Sequence, residues 1–329
     1  MKSKDKKIWL SLTIGAAAVS VIGLVYRKTA RHLVDIALDR QQPKVIGKSR
    51  ERLRGSKELC DIIKVMSKAS DELESSGCQQ VEIKGYDGTK LIGHWRECET
   101  PKRVVIAMHG WRSSWAHDFG IIAPFWHSND CCVLYAEQRG QGLSGGNYMG
   151  FGLLERYDCL EWIKWVNEKT GGTLPIYLGG VSMGASTILM TSGFDLPENV
   201  RGIIADCGFT SPHAIWKHVL QSNLHIPYGL YSAVANDMCK KRIQMGSNDY
   251  SCIEALKKNK IPVLFVHGSD DHFVPINMTY ENYRACSAPK HLFIVPGAEH
   301  GMSYLVDKDG YERRVIDFWN QYDIKTPCN

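Results

Sequence analysis

What this 329-residue chain lacks removes several kinds of chemistry before any motif is sought. No two of its 11 cysteines form a C-x-x-C pair, so neither a zinc knuckle nor a dithiol redox centre is supported. No H-E-x-x-H occurs, which removes the helix-borne metallohydrolase site. His213, His218 and His225 are five and seven residues apart, not a ligand spacing. Gly140-Gln141-Gly142 lacks the third glycine and the ribose-binding acid of a dinucleotide fingerprint. No cofactor and no metal are therefore expected. Internal repeats and disorder-prone composition are absent as well. The 44% hydrophobic content suffices for one large α/β domain or two small ones.

Charge is unevenly spread. Residues 1–60 hold 14 Lys/Arg against 5 Asp/Glu, leaving 26 against 30 for the remainder. The arm is basic and the body mildly acidic. Within the arm, Ile8 to Tyr26 is uncharged and would span roughly 29 Å as a helix, about the thickness of a bilayer core. A cleaved signal peptide and a retained anchor both fit the charged residues 1–7. The small residues Gly15-Ala16-Ala17-Ala18 lie mid-segment and the exit is the basic Arg27-Lys28-Thr29-Ala30-Arg31, which favours an anchor. Basic residues flank both ends, so the sequence leaves the side of the membrane open. The odd cysteine count, with Cys131 and Cys132 adjacent at the start of an apolar run, suits a reduced compartment. The expected organisation is a tail at 1–7, a transmembrane anchor at 8–26 and a basic juxtamembrane helical linker at 27–77. One larger domain follows at 78–325.

From Val81 the texture becomes that of strands. Val81-Glu82-Ile83 and Leu91 to Trp95, joined by a turn at Tyr86 to Thr89, read as a hairpin. Five later apolar runs begin at Val104, Cys132, Ile176, Gly202 and Pro262, and a sixth at His291. Such runs suit strands buried on both faces. Helical patterns between them, such as Leu153, Tyr157, Leu160, Ile163 and Val166, imply a mostly parallel sheet with right-handed crossovers and helices on both faces. Ligands of such sheets gather at the carboxyl ends of the strands, where the polar clusters of this sequence sit.

The most informative cluster is Gly180-Val181-Ser182-Met183-Gly184 between a strand and a helix. This is a G-x-S-x-G elbow, a turn that lifts the serine hydroxyl above the sheet edge and tolerates only small neighbours. A serine hydroxyl needs a base and a group that holds the base's tautomer. His300, flanked by Gly297 and Gly301 after the last strand, is the best base. For the acid, Asp271 is favoured by its D-x-x-V-P context, with Asp270 and Asp206 as alternatives. An oxyanion needs peptide donors. Met183 N–H, just after the serine, supplies one, and Trp111 N–H, after His109-Gly110, is the candidate for the other.

Five motifs in order, H-G-W at 109–111, R-G-x-G-x-S-G at 139–145, G-V-S-M-G at 180–184, H-G-S-D-D-x-x-V-P at 267–275 and G-A-E-H-G at 297–301, make the chain resemble a serine α/β-hydrolase over roughly Val81 to Tyr322. Within that superfamily it is most similar to bacterial membrane-anchored hydrolases of the serine-aminopeptidase-like or acyl-esterase type. The resemblance implies an α/β-hydrolase fold with Ser182 as nucleophile, Asp271 as orienter and His300 as base. Glu137 departs from it, since relatives often carry Asp before the Arg-Gly turn. The resemblance also implies a small helical cap at about 211–251, where Trp216, Leu220, Tyr228 and Tyr231 would suit acyl or aromatic ester groups. The expected activity is hydrolysis of a small-molecule or lipid-like ester. The membrane is the other expected partner, and no nucleic acid is expected. A peptidase, an acyltransferase or a catalytically silent tethered binding protein are the alternatives.

Overall fold

Eight segments pair into one sheet whose central strands bury their side chains between layers of helices, while the edge strand β1 is largely exposed. The computed structural model describes residues 23–41 and 57–323. The strands are β1 (Gln79–Lys84), β2 (Lys90–Arg96), β3 (Arg103–Met108), β4 (Cys131–Ala136), β5 (Ile176–Val181), β6 (Val200–Asp206), β7 (Val263–Gly268) and β8 (Lys290–Val295). Their spatial order is β1-β2-β4-β3-β5-β6-β7-β8. The β1–β2 and β2–β4 pairs are antiparallel and the other pairs parallel. In β3 every side chain is buried. Val104, Ile106 and Met108 enter one core layer and Val105 and Ala107 the other, as the two-residue strand period requires. This is an α/β-hydrolase fold with a mixed, mostly parallel sheet.

Residues 23–38 form helix α1 and α2 is Lys57–Glu74. Later come α3 (Glu155–Thr170), α4 (Met183–Thr191), α5 (Pro212–His218), α6 (Tyr228–Ile243) and α7 (Lys308–Tyr322). The cap expected at 211–251 holds α5, a π-helical turn at Val219–Asn223 and α6. Helix α7 is pinned across the sheet's amino-terminal edge. Asp323, just after it, accepts from Arg103 at 2.6 Å and from the Tyr177 hydroxyl at 2.9 Å, and the Arg103 guanidinium lies 4.3 Å from the Trp319 ring centre. Cys131 and Cys132 are both buried free thiols.

The described residues of the arm are largely helical, as expected of residues 27–77. Residues 8–22 of the expected anchor lie outside the described residues, as do the tail at 1–7 and residues 42–56 of the expected linker. Among the described residues no helix is long and apolar enough to cross a membrane. The helices of the arm pack against the body. Ala30, Val34 and Leu38 of α1 are buried at an i, i+4, i+8 spacing. Helix α2 lies against the short helix Trp115–Phe119, so closely that a Cβ on Gly120 would meet the Ala69 carbonyl at 2.6 Å.

The loop after β4 is held by a buried ion cluster. Arg139 donates to Asp158 of α3 at 2.5 and 2.6 Å and to Asp87 at 2.8 Å. Removing one member of a buried pair leaves an uncompensated charge and costs about 3–5 kcal/mol. Burial already pushes the Asp158 carboxyl up to about 6 despite the pairing. Arg139→Leu is therefore expected to lower the urea midpoint sharply at pH 8 and less at pH 5, where Asp158 can take up a proton. Equal losses at both pH values would show that Asp158 is not the group left stranded.

Candidate active site

The elbow serine sits where ordinary helix-capping geometry is impossible. Ser182 has φ 55° and ψ −116°, a sparsely populated region that costs of order 1–3 kcal/mol and persists only when surroundings over-determine it. Its own N–H donates to the Asp206 carbonyl at 2.9 Å. A Cβ on Gly184 would be driven into the Met108 carbonyl, and one on Gly180 would meet Gly184 at 2.6 Å. Strand β3, strand β5 and helix α4 thus meet at one point that only glycine allows. The amino-terminal turn of α4 faces the serine with unpaired peptide donors, the first being Met183 N–H.

The loops after β7 and β8 bring the remaining groups to this edge. His300 Nε2 lies 2.9 Å from Ser182 Oγ, and His300 Nδ1 lies 2.7 Å from Asp271 Oδ2. With a neutral ring, Nδ1–H donates to the carboxylate and Nε2 accepts the serine proton. Asp271 Oδ1 accepts from the peptide N–H groups of Phe273 and Val274 at 2.9 and 2.8 Å. Burial alone would push this carboxyl up. Hydrogen bonds from His267 and His300, the His300 charge and Val274 N–H outweigh it and hold Asp271 far below the usual carboxylate range. His267 is itself fully buried. Its Nε2 is 2.9 Å from the Val274 carbonyl and 3.2 Å from Asp271 Oδ2, while Nδ1 is 2.7 Å from Thr279 Oγ1. Since a carbonyl can only accept, Nε2 carries the proton and Nδ1 accepts from the threonine.

The other acid candidates are placed elsewhere. Asp270 is exposed and accepts from the Ser269 hydroxyl at 2.6 Å. Asp206 is buried behind the serine and accepts from Ser303 Oγ at 3.0 Å. Burial pushes its carboxyl up to about 6, against the partial opposition of His267, His300 and the Ser303 hydroxyl. Cys207 adjoins both Asp271 and His300, within 4.8 Å at the nearest ligand atoms. Its thiol is fully buried and pushed well above its usual range, and the two neighbours spend their facing atoms on each other.

His109 of the H-G-W motif is structural. Its Nε2 accepts from Gln138 N–H at 3.1 Å and its Nδ1 donates to the Gly110 carbonyl at 2.8 Å, with burial keeping the ring neutral. Glu137 lies 2.7 Å from His94 Nε2 and accepts from Leu143 N–H, so it braces the same loop. His213 is bonded to the Tyr228 hydroxyl at 3.0 Å and His218 lies 3.3 Å from the His272 carbonyl; neither makes a metal set with the other.

Ser182 opens into a cavity of about 200 Å³. Its walls come from the cap (Trp216, Leu220, Tyr228, Tyr231), from Trp111, Phe151, Phe209 and Phe273, and from Ala30, Leu33, Val34, Ile36 and Ala37 of α1. Among the described residues none that lines it is charged. The α1 contribution was missed in the sequence, although Ala30, Val34 and Leu38, with Leu33 and Ala37 beside them, carry a helical period. Proximity to the apolar anchor segment and the basic Arg27 to Arg31 masked it.

The sequence profile of the prolyl oligopeptidase family matches residues 117–324. Bacillus subtilis YqkD is 26% identical over 325 residues, covering 98% of this chain and 99% of that protein. Escherichia coli YfhR is 25% identical over 249 residues, covering 73% and 80%. Among solved structures, the Pyrococcus furiosus esterase Pf2001 superposes with a TM-score of 0.63 at 22% identity, covering 77% of this chain and 94% of that one. The last likeness is one of fold.

The Asp206 carboxyl gives a pH signature with a defined sign. Its pKa in the fold, about 6, lies above the ordinary 3.8. The protonated group therefore stabilises the fold at low pH, and that contribution is lost as pH rises through 6. Asparagine does not titrate and keeps an acceptor for Ser303. Asp206→Asn is expected to gain stability relative to wild type between pH 4 and pH 7.5, by on the order of 2–3 kcal/mol, read from urea midpoints. A difference that does not change with pH would refute the assignment.

Proposed function

The chain belongs to the prolyl oligopeptidase family and is a serine hydrolase of the α/β type, and from that premise we propose that it cleaves carboxylic esters with an apolar acyl group through an acyl-enzyme. The observation that carries this reading is the cavity at Ser182, enclosed by aliphatic and aromatic side chains with no charged group among them. A peptidase that grips a free amino or carboxyl terminus needs a countercharge in its site. An acyl chain needs only exclusion from water.

In the proposed mechanism His300 Nε2 takes the Ser182 proton as Oγ attacks the ester carbonyl. Asp271, held ionised by its hydrogen bonds, stabilises the imidazolium and fixes its orientation. The N–H groups of Met183 and Trp111 receive the oxyanion. The tetrahedral intermediate collapses, His300 returns the proton to the leaving alcohol, and the acyl group stays on Ser182. Water deprotonated by the same His300 then attacks the acyl-enzyme, and the acid leaves with Ser182 restored. The family membership favours peptide bonds as the second reading, and transfer of the acyl group to an added alcohol or amine is a third.

Residues 8–26 act as the single membrane anchor in this proposal, preceded by the basic tail at 1–7, with residues 78–325 as the catalytic body. The reading rests on the uncharged Ile8 to Tyr26 and its basic flanks. The protein would then reside in the cell membrane as a single-pass enzyme.

Full-length protein in detergent is expected to label with a fluorophosphonate and to turn over p-nitrophenyl esters faster than aminoacyl anilides. Ser182→Ala and His300→Ala should each lower kcat by roughly 10⁴- to 10⁶-fold. Faster cleavage of the anilides would replace the ester reading with the peptidase one. Deleting residues 1–22 should move the protein from the membrane pellet to the supernatant with labelling retained. A deleted form that stays with the membranes would overturn the anchor.

A further inference from the structure

One wall of the cavity at Ser182 comes from outside the strand-and-crossover body. Helix α1 contributes Leu33, Val34 and Ala37 to the lining, facing Trp111 and the cap. It is fixed on three sides. The Trp111 indole donates to the Ala37 carbonyl at 2.9 Å, and the Arg112 guanidinium donates to the carbonyls of Ile36 and Asp39 at 2.8 and 2.6 Å. The Ile36 and Ala37 carbonyls are last-turn groups that no intrahelical donor can satisfy, at the negative end of the helix, and Asp39 lies just beyond it. On the cap side Asp35 pairs with Arg242 of α6. Beyond the helix, Arg40 donates to the carbonyls of Ser144 and Gly142 at 2.5 and 2.6 Å. Arg112 takes up φ 51°, a left-handed conformation unusual for this residue type, and its three donor contacts to the α1 terminus are what hold it there.

A wall clamped in this way has a fixed position, and a fixed apolar wall measures the chain laid against it. We propose that α1 is the acyl-chain wall of the active site and that Leu33 and Ala37 are specificity-determining residues that set the preferred chain length. The proposal rests on the ester reading given above. It makes the segment that leaves the anchor part of the substrate site, rather than a tether only.

The two positions allow changes of opposite sign. Leucine at 37 fills space and alanine at 33 opens it, and both residues are strong helix formers, so α1 is preserved. For full-length protein in detergent micelles, the readout is kcat/KM for p-nitrophenyl acetate through palmitate, expressed as the ratio of long to short chains. One methylene in an apolar pocket is worth about tenfold or more in discrimination. Ala37→Leu should lower the long-to-short ratio by at least about that factor and move the optimum to a shorter ester, and Leu33→Ala should raise the ratio. A variant that merely loosened the fold would lower all lengths together.

A second readout is independent of turnover: calorimetric binding of a saturated fatty-acid series to Ser182→Ala, alone and combined with each change. If esters are hydrolysed and both variants keep the wild-type length profile, the wall is refuted and the ester reading stands. If no ester is hydrolysed and the fatty-acid profile shifts in the two expected directions, the ester reading falls and the wall stands. Absence of both hydrolysis and fatty-acid binding sinks both.

Discussion

The close approach of α4 to β3 is the contact on which the catalytic edge depends. Gly184 lies so near the Met108 carbonyl that any side chain there would be driven into it, and this proximity forces the strand-to-helix turn into the backbone of Ser182. The same helix is tied to its surroundings by polar bonds. Thr187 donates to Gln138 at 3.0 Å after β4, and Ser186 Oγ accepts from Phe209 N–H at 2.8 Å after β6. Loops from neighbouring strands are therefore registered against Ser182. The strain of one residue is small beside a core of this size, and it is localised where reactive geometry is wanted.

Helix α1 illustrates a constraint of a different sort. A helix end leaves carbonyls without partners, and burying them against a protein surface is costly unless donors are provided. Trp111 and Arg112, immediately beyond the His109-Gly110 turn, supply those donors. The same two residues thus belong to the loop expected to hold the oxyanion and to the clamp on the cavity wall. Through them the position of α1 is mechanically linked to the loop that must stay preorganised for catalysis.

Much of this arrangement was legible in the sequence because its signals are local. Apolar runs of strand length followed by polar loops located the sheet, and the glycines around Ser182 announced a turn that no larger residue could make. Trp111 is expected for its peptide N–H. The structure makes it a wall residue whose indole caps α1. The α1 wall was illegible for a physical reason. Whether an apolar helical face is covered by lipid or by protein is decided by tertiary contacts, and residues 23–38 directly continue a segment with the hallmarks of a membrane span. The burial of Val34 becomes readable only once the cavity it faces is known.

The choice among three carboxylates shows how environment assigns roles to chemically identical groups. Asp270 faces solvent, next to Asp271 in sequence but turned away from His300. Asp206 and Asp271 are both buried near the base, and mutual repulsion disfavours ionising both. The distribution of donors breaks the tie. Asp271 receives two peptide N–H groups and two imidazoles, so its charge is solvated by the protein and its carboxyl is held far below the usual range. Asp206 has the Ser303 hydroxyl and a tyrosine hydroxyl, that of Tyr311, and burial prevails, lifting its carboxyl to about 6. Geometry completes the distinction: Asp271 Oδ2 lies 2.7 Å from His300 Nδ1, whereas Asp206 is bonded to the Ser303 and Tyr311 hydroxyls. That contact, rather than distance along the chain, is what fits Asp271 for the orienting role in the proposed mechanism.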